Sequence, residues 1–172
     1  SYKDGLSYYT FKLKDTDLKT NPLIKLSDDL FAVTYFDTFT EQLSSLRIMT
    51  GDMLIKQRFY EMEYRGPLPE EKELTDDDWI DIEQAMEEQI FELTNLYRKR
   101  FNVARLEKDE STSKVAYLHS KDMYDNNYFS HDSQDGRGLK ERLEAQHVHY
   151  LSAGENIAAQ HTDALAAMEG WL

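Results

Sequence analysis

Hydrophobic residues alternate with polar ones early in the chain and recur at three- and four-residue spacing later, which predicts strands first and helices after them. In Tyr8 to Leu13, the residues Tyr9, Phe11 and Leu13 share one face, and Phe31-Ala32-Val33-Thr34-Tyr35-Phe36 is a β-branched and aromatic run of strand length. Leu54 to Tyr64 alternates less cleanly. The Asn21-Pro22 break and the Thr50-Gly51-Asp52 turn divide this region into hairpin-like pieces rather than helices. A β-rich module is therefore placed at residues 1–66. Its strand signal begins almost at Ser1, so part of the module is expected upstream of the chain.

Gly66-Pro67-Leu68-Pro69 followed by Glu70-Glu71-Lys72-Glu73 reads as a linker, at 67–74, because proline and charge interrupt both periodicities. A long helix over about 75 to 100 follows. Thr75 is placed to cap it, Asp78 to close a capping box, Leu74 to staple onto Trp79, and Asp76, Asp77 and Asp78 suit the positive end of the helix dipole. Ile82, Met86, Ile90, Leu93 and Tyr97 make its inward stripe, and Arg98-Lys99-Arg100 close it. Further helices are predicted from about Thr112 to Tyr124, with Val115, Leu118 and Met123 inward, and from Leu139 to Gln146. A last one starts at Thr162 as cap and turns Leu165, Met168 and Trp171 inward.

Charge changes the picture by removing partners. Thirty-three acidic against 20 basic residues give a formal charge of -13, a field that repels phosphate backbones and anionic headgroups, so no nucleic-acid partner is expected. With 172 residues, 40% of them hydrophobic, the chain can bury one medium core or two small ones. The absence of cysteine rules out a disulfide framework and a thiol nucleophile, but does not decide the compartment. No apolar run is long enough to span a bilayer and no signal-peptide pattern stands at the start, so the chain is either cytosolic or a mature or trimmed piece of an exported protein.

The chemistry-bearing residues are Tyr128-Phe129-Ser130-His131 and Gly154-Glu155-Asn156-Ile157-Ala158. A histidine and a carboxylate on separate short elements can share a proton or hold a divalent metal. With Ala116-Tyr117-Leu118-His119-Ser120-Lys121-Asp122-Met123 before them and Ala167-Met168-Glu169-Gly170-Trp171-Leu172 after, the chain from about Glu83 to Leu172 resembles the CAP superfamily (cysteine-rich secretory, antigen 5, pathogenesis-related, or SCP-like) in its cysteine-free bacterial form. The preceding module is similar to the domain found N-terminal to CAP domains in exported proteins of spore-forming bacteria. The resemblance implies an α+β chain: a β-rich N-terminal module followed, over 75–172, by the helical front half of a CAP α-β-α sandwich whose strands lie beyond Leu172. It also implies export, and a location outside the membrane or anchored to it by a segment absent here.

In the family the histidine matching His131 lines a cleft that the glutamate matching Glu155 faces, and Ser130 and Asn156 stand beside them. The resemblance thus implies a ligand cleft of His131, Glu155, Asn156 and Ser130. It also implies a metal site, Zn²⁺ being the candidate divalent cation, with His131 and Glu155 as two ligands and a third, a histidine, beyond Leu172. Read from the residues alone, His131 is a loop histidine at the edge of an aromatic anchor, and Glu155 serves equally as a turn carboxylate accepting backbone N–H bonds. Glu169 precedes Trp171 instead of following it, so the second glutamate of the family's cleft is not carried over and Glu169 reads as a surface or helix-end charge.

Other candidates weigh less. His119 sits at the edge of the second helix's inward stripe and reads as a hydrogen-bonded core-edge residue. His147-Val148-His149 puts both rings on one face only if extended, and His147, His149 and His161 receive no role. Ser130 beside His131 is poor evidence for a Ser–His dyad, because neighbours in sequence point different ways. Asp132, Asp135 and Gly136 lack the full spacing of a calcium loop. The N-terminal aromatics, Tyr8, Tyr9, Phe11, Phe31, Tyr35, Phe36, Phe39, Phe59, Tyr60 and Tyr64, read as the core of the β-rich module in preference to a binding sheet.

Three functions remain. The first is an exported, envelope-associated binding module whose His131/Glu155 cleft takes a lipid, a glycan or a protein. The second is a metal-dependent, peptidase-like hydrolase using the same cleft, and the third an interaction protein with a vestigial cleft. No second carboxylate has a clear claim as general base, which favours binding over catalysis. Helices whose sheet lies beyond Leu172 would also expose their inward stripes, so self-association is an expected property of the chain as it stands.

Overall fold

The computed structural model of the chain describes residues 1–37, 40–70 and 72–171; Phe39, Glu71 and Leu172, named above, lie outside the described residues. The chain divides into two units, Ser1–Thr75 and Asp76–Leu172. It is an α+β protein, with antiparallel strands in the first unit and helices in the second.

The first unit holds two three-stranded sheets. In one, β1 (Tyr2–Asp4), β2 (Ser7–Lys12) and β6 (Glu61–Arg65) run in the order β1-β2-β6; in the other, β3 (Leu23–Lys25), β4 (Leu30–Phe36) and β5 (Leu43–Thr50) run in sequence order. Tyr9 pairs with both Tyr2 and Tyr64, and the rings of all three stack across the first sheet. Phe31, Val33, Met49, Leu54 and Tyr60 form the core, with Phe11 edge-on to Phe31. Burial pushes the Tyr60 hydroxyl pKa far above its ordinary value. It is satisfied by donating to the Asn21 carbonyl at 2.6 Å.

Two short helices interrupt this unit where the pattern predicted only strands and turns: α1 (Asp15–Thr20) and α2 (Gly51–Gln57). The Thr50-Gly51-Asp52 segment is a helix start, not a hairpin turn. The Thr50 hydroxyl accepts from the Met53 amide at 3.3 Å, and Arg58 ends the helix in the left-handed region at φ 51°. The apparent alternation of Leu54 to Tyr64 is the buried face of α2, carrying Leu54 and Ile55, running on into β6.

The second unit is helical. It comprises α3 (Asp76–Arg100), α4 (Glu110–Asp125), α5 (Leu139–Ala145) and α6 (Ala164–Trp171). α3 has three aspartates in its first turn and three basic residues in its last, the arrangement that a helix dipole favours. It packs on α6, where the Tyr97 hydroxyl donates to Glu169 at 2.6 Å. Glu169 is thus a helix-end charge, in the last turn of α6, but half-buried and bonded to Tyr97 instead of lying out on the surface. α4 is capped by Asp109, which accepts from both the amide and the hydroxyl of Thr112. The cap in the last turn before α6 is Asp163, accepting from the Ala166 amide at 2.9 Å, where Thr162 was expected. On α4 the inward residues are Val115, His119 and Met123; Leu118, expected inward, is exposed. Positions 115, 119 and 123 are spaced by four and so share one face, from which 118 is rotated.

Candidate functional site

The site is assembled from three pieces of the second unit: the loop after α4 that carries Ser130 and His131, the helix α5, and the irregular segment between α5 and α6 that carries Glu155. Each piece is placed by a specific contact. The Tyr128 amide donates to the Met123 carbonyl at 3.0 Å, and the Tyr128 hydroxyl donates to the Asp122 carboxylate, which turns the chain sharply out of α4. Gly138 starts α5 with its amide bonded to the Glu141 carboxylate at 3.0 Å. The Trp171 indole donates to the Ile157 carbonyl at 3.0 Å, tying the glutamate segment to α6.

His131 and Glu155 meet. The His131 Nδ1 lies 3.0 Å from Glu155 Oε1, and since a carboxylate only accepts, Nδ1 carries the proton. That leaves Nε2 as the ring's free edge. The His131 side chain is 59% exposed and that of Glu155 14%, so the imidazole faces solvent and the carboxylate lies behind it.

Behind the carboxylate stands Arg142, a residue the sequence reading did not single out. It comes from α5 and is 6% exposed. Its Nη2 donates to both oxygens of Glu155, at 2.8 and 2.7 Å, and its Nη1 donates to the His131 carbonyl at 2.8 Å. A single guanidinium thus holds the carboxylate and the backbone of its histidine partner together. Burial pushes the Glu155 carboxyl upward, but the hydrogen bond from His131 and the charge and bonds of Arg142 outweigh it and hold the group below the usual carboxylate range. The carboxylate is accordingly ionised at neutral pH.

His119 completes the support. Its ring is 2% exposed, and its Nε2 lies 3.0 Å from the Ser130 carbonyl, which as an acceptor assigns the proton to Nε2. It also packs edge-on to Tyr128. The expected core-edge histidine is thus fully buried beneath the loop that presents His131. Asn156 and Ser130 are exposed, and the Ser130 hydroxyl accepts from the Asp132 amide at 3.0 Å, so its recorded partner is a backbone amide and not the His131 ring. His147 lies at φ 56°, just beyond α5, which rules out the extended form that would align it with His149. The His161 ring abuts Gly170. Asp135 binds Arg137 through its side chain and backbone, which commits it elsewhere than to a calcium loop.

A weak signal for Arg142 was present. It sits three residues after Leu139 and beside Leu143, on the inward side of a short helix where a charge needs a buried partner. Nothing in the pattern said which acid would supply it, because Glu155 arrives from an irregular segment.

Residues 1–60 match the model of the CAP-associated N-terminal domain, and residues 91–172 match that of the cysteine-rich secretory protein family. The uncharacterised membrane protein YlbC of Bacillus subtilis is 43% identical over 164 residues, 95% of this chain and 47% of that protein. The uncharacterised protein YkwD of the same organism is 34% identical over 88 residues, 51% of this chain and 34% of its own length. The chain therefore spans about half or less of the curated relatives it matches. Among solved structures, an extracellular SCP-domain protein of Bacillus anthracis superposes with a TM-score of 0.88 at 46% identity, covering 98% of this chain and 54% of that one. A cysteine-rich secretory protein of Staphylococcus aureus gives 0.69 at 26% identity, covering 95% and 52%.

Proposed function

Since residues 91–172 belong to the cysteine-rich secretory protein, or CAP, family and residues 1–60 to the domain associated with it, we propose that the chain is part of an exported bacterial protein that binds a ligand at the cell envelope through His131 and Glu155. Relatives described as an extracellular SCP-domain protein and as a membrane protein support that location. Among the described residues no helix is long and apolar enough to cross a membrane, so an anchor would lie elsewhere in such a protein.

One observation carries the binding reading: Glu155 is ionised and held by Arg142 through both oxygens, while His131 turns its remaining nitrogen to solvent. The pair offers a ligand one polarised imidazole edge on a rigid base. That suits hydrogen-bonding groups such as sugar hydroxyls, a lipid headgroup or a peptide backbone. It suits a dication less well. Zn²⁺ would have to take a carboxylate oxygen that the guanidinium already holds at 2.7 or 2.8 Å, and would sit beside that fixed positive charge. Among the described residues no group of three or more His, Asp or Glu side chains converges on one point.

The test is a side-chain NMR titration of the His131 ring with peptidoglycan fragments, with zwitterionic lipid micelles and with Zn²⁺. The expected result is saturable perturbation by one of the first two, lost in His131→Ala, with Zn²⁺ at least tenfold weaker than micromolar, by the affinity arithmetic of an incomplete ligand set. Micromolar Zn²⁺ binding lost in both His131→Ala and Glu155→Gln would overturn this reading in favour of the metal-dependent hydrolase. No response to any probe would favour a vestigial cleft.

A further inference from the structure

The two sheets of the first unit turn very different faces outward. In β1-β2-β6 the paired residues Tyr8 and Arg65, Thr10 and Glu63, and Lys12 and Glu61 alternate away from the aromatic stack, and Lys12 bridges Glu63 at 3.2 Å, so that face is built for water. In β3-β4-β5 the charged residues of the three strands are Lys25 and Arg47 alone. Both alternate to the core side: Lys25 pairs with Phe31 and Arg47 with Val33, and the guanidinium lies over the rings of Tyr35 and Phe59. The opposite face of these strands therefore carries no charge, in a chain of which 31% is charged.

What that face does carry is apolar and open. Ile24, Leu30, Phe36, Leu46 and Ile48 fall on it by alternation and are 37 to 56% exposed. Ala32 and Thr34 make its floor, both buried, with Ile24 and Ile48 directly on either side of Ala32. The surface is a shallow trough along β4 with ridges on β3 and β5. Five side chains of this size, each about half open, leave on the order of 500 Å² of apolar surface, near the upper limit of about 600 Å² for the largest patch on a typical monomer.

We propose that this trough is a self-association surface whose occupant is the same face of a second copy of the chain, packed sheet to sheet about a two-fold axis. An uncharged face with ridges beside a trough is complementary to itself, because a two-fold axis sets a ridge of each copy over the trough of the other without opposing like charges. The area agrees with that occupant. Burying on the order of 500 Å² on each copy reaches the roughly 1,000 Å² in total that a specific interface needs, at the end of the range where association is transient. A glycan or a charged peptide finds little to hold there: the Thr34 hydroxyl already donates to the Pro22 carbonyl at 3.2 Å, and that of Thr50 accepts from the Met53 amide at 3.3 Å. Neither His131 nor Glu155 takes part, so this proposal and the binding reading fail separately.

The test is sedimentation velocity of the chain over about 1 to 200 µM, in which a monomer–dimer equilibrium with Kd on the order of 10 to 100 µM is expected. The dimer should hold or tighten as NaCl is raised from about 50 to about 500 mM, since salt screens the repulsion between two copies of charge -13 and no ion pair crosses the interface. Ile48→Lys, at an exposed position, should weaken association at least about tenfold, and Tyr8→Lys, on the solvent face of the other sheet, should leave it within about twofold, with circular dichroism confirming that both fold. A chain that stays monomeric throughout overturns the proposal. So does a dimer that Ile48→Lys leaves intact, which would place the contact elsewhere, and so does a dimer that salt dissolves, the mark of an ionic interface. In a longer protein carrying this chain the dimer should persist; a monomer there would give the face to another segment of that protein and overturn the proposal as well.

Discussion

Replacing Arg142 by methionine tests the centre of the site, because methionine keeps much of the side chain's bulk and deletes the guanidinium. The deletion removes the two bonds to Glu155, at 2.8 and 2.7 Å, and those to the His131 and Arg137 carbonyls, at 2.8 and 3.3 Å. Taking one partner from a buried ion pair costs roughly 3 to 5 kcal/mol, since the other charge is left behind. Here Glu155 keeps its His131 bond and 14% of its exposure, which places the expected loss near the lower limit, about 3 kcal/mol. That is a large share of the roughly 5 to 15 kcal/mol that holds a domain together. Both tryptophans, Trp79 and Trp171, lie in the second unit, so urea unfolding followed by tryptophan fluorescence reports on it. Adding Glu155→Gln to Arg142→Met should restore at least about 1 kcal/mol, because the stranded charge is then gone. A loss below about 1 kcal/mol, the scale of an exposed ion pair, would refute the claim that this pair is buried and holds the site.

Three further predictions concern pH and the N-terminal core. The lowered pKa of Glu155 contributes stability that is fully present above the unfolded value of about 4.3 and is lost as pH falls through the lower folded value; the gap between wild type and Glu155→Gln in urea melts should therefore narrow as pH falls below that unfolded value, and a gap independent of pH would refute this. Leu54→Ala, at a side chain buried among Phe31, Val33, Met49 and Tyr60, should cost about 2 to 5 kcal/mol by far-UV circular dichroism, and a loss under 1 would mean that this cluster is not the core. Gly51→Ala should destabilise despite a helix-propensity gain of up to about 1 kcal/mol, because the added methyl would run into the Tyr2 ring, and overpacking costs roughly 1 to 3; a raised melting temperature would show that Tyr2 swings away freely.

The parts of the fold that were legible in the sequence are those where one periodicity ran long enough to be unambiguous. α3 is predicted over about 75 to 100 and observed at Asp76–Arg100, because its apolar stripe persists from Ile82 to Tyr97 and acids and bases mark its two ends. β2 was legible for the same reason at period two, and β4 as a β-branched and aromatic run of strand length, buried at four consecutive positions. α1 and α2 were not, being six and seven residues long, too short for helical spacing to separate from alternation. β5 was missed because Leu43 to Thr50 turns Leu46 and Ile48 outward, exposed, and offers no clean polar face to contrast with a buried one. In the site, the two recognisable motifs named His131 and Glu155, while Arg142 stayed hidden and His119 was legible only as a hydrogen-bonded core-edge residue. Their role depends on tertiary partners that lie 11 to 13 residues away across loops, and no local pattern encodes such a pairing.

That hidden layer bears on what the site can do. Glu155 lies in a stretch between α5 and α6 with no regular element, so no ladder of backbone bonds fixes it. Its recorded anchors are the Arg142 clamp on its own side chain and the Trp171 bond to Ile157 two residues on. A ligand that drew the carboxylate away from Arg142 would strand a guanidinium that is 6% exposed and at the same time release the segment. A ligand that instead engaged the outer edge of His131 would leave every one of these bonds in place. The imidazole would strengthen its Nδ1–H bond to Glu155 as Nε2 accepted a hydrogen bond, since the ring is then polarised towards a carboxylate already oriented to it. On the proposed binding reading, contact with the ligand would therefore fall to His131, and Glu155 would orient and polarise it from behind.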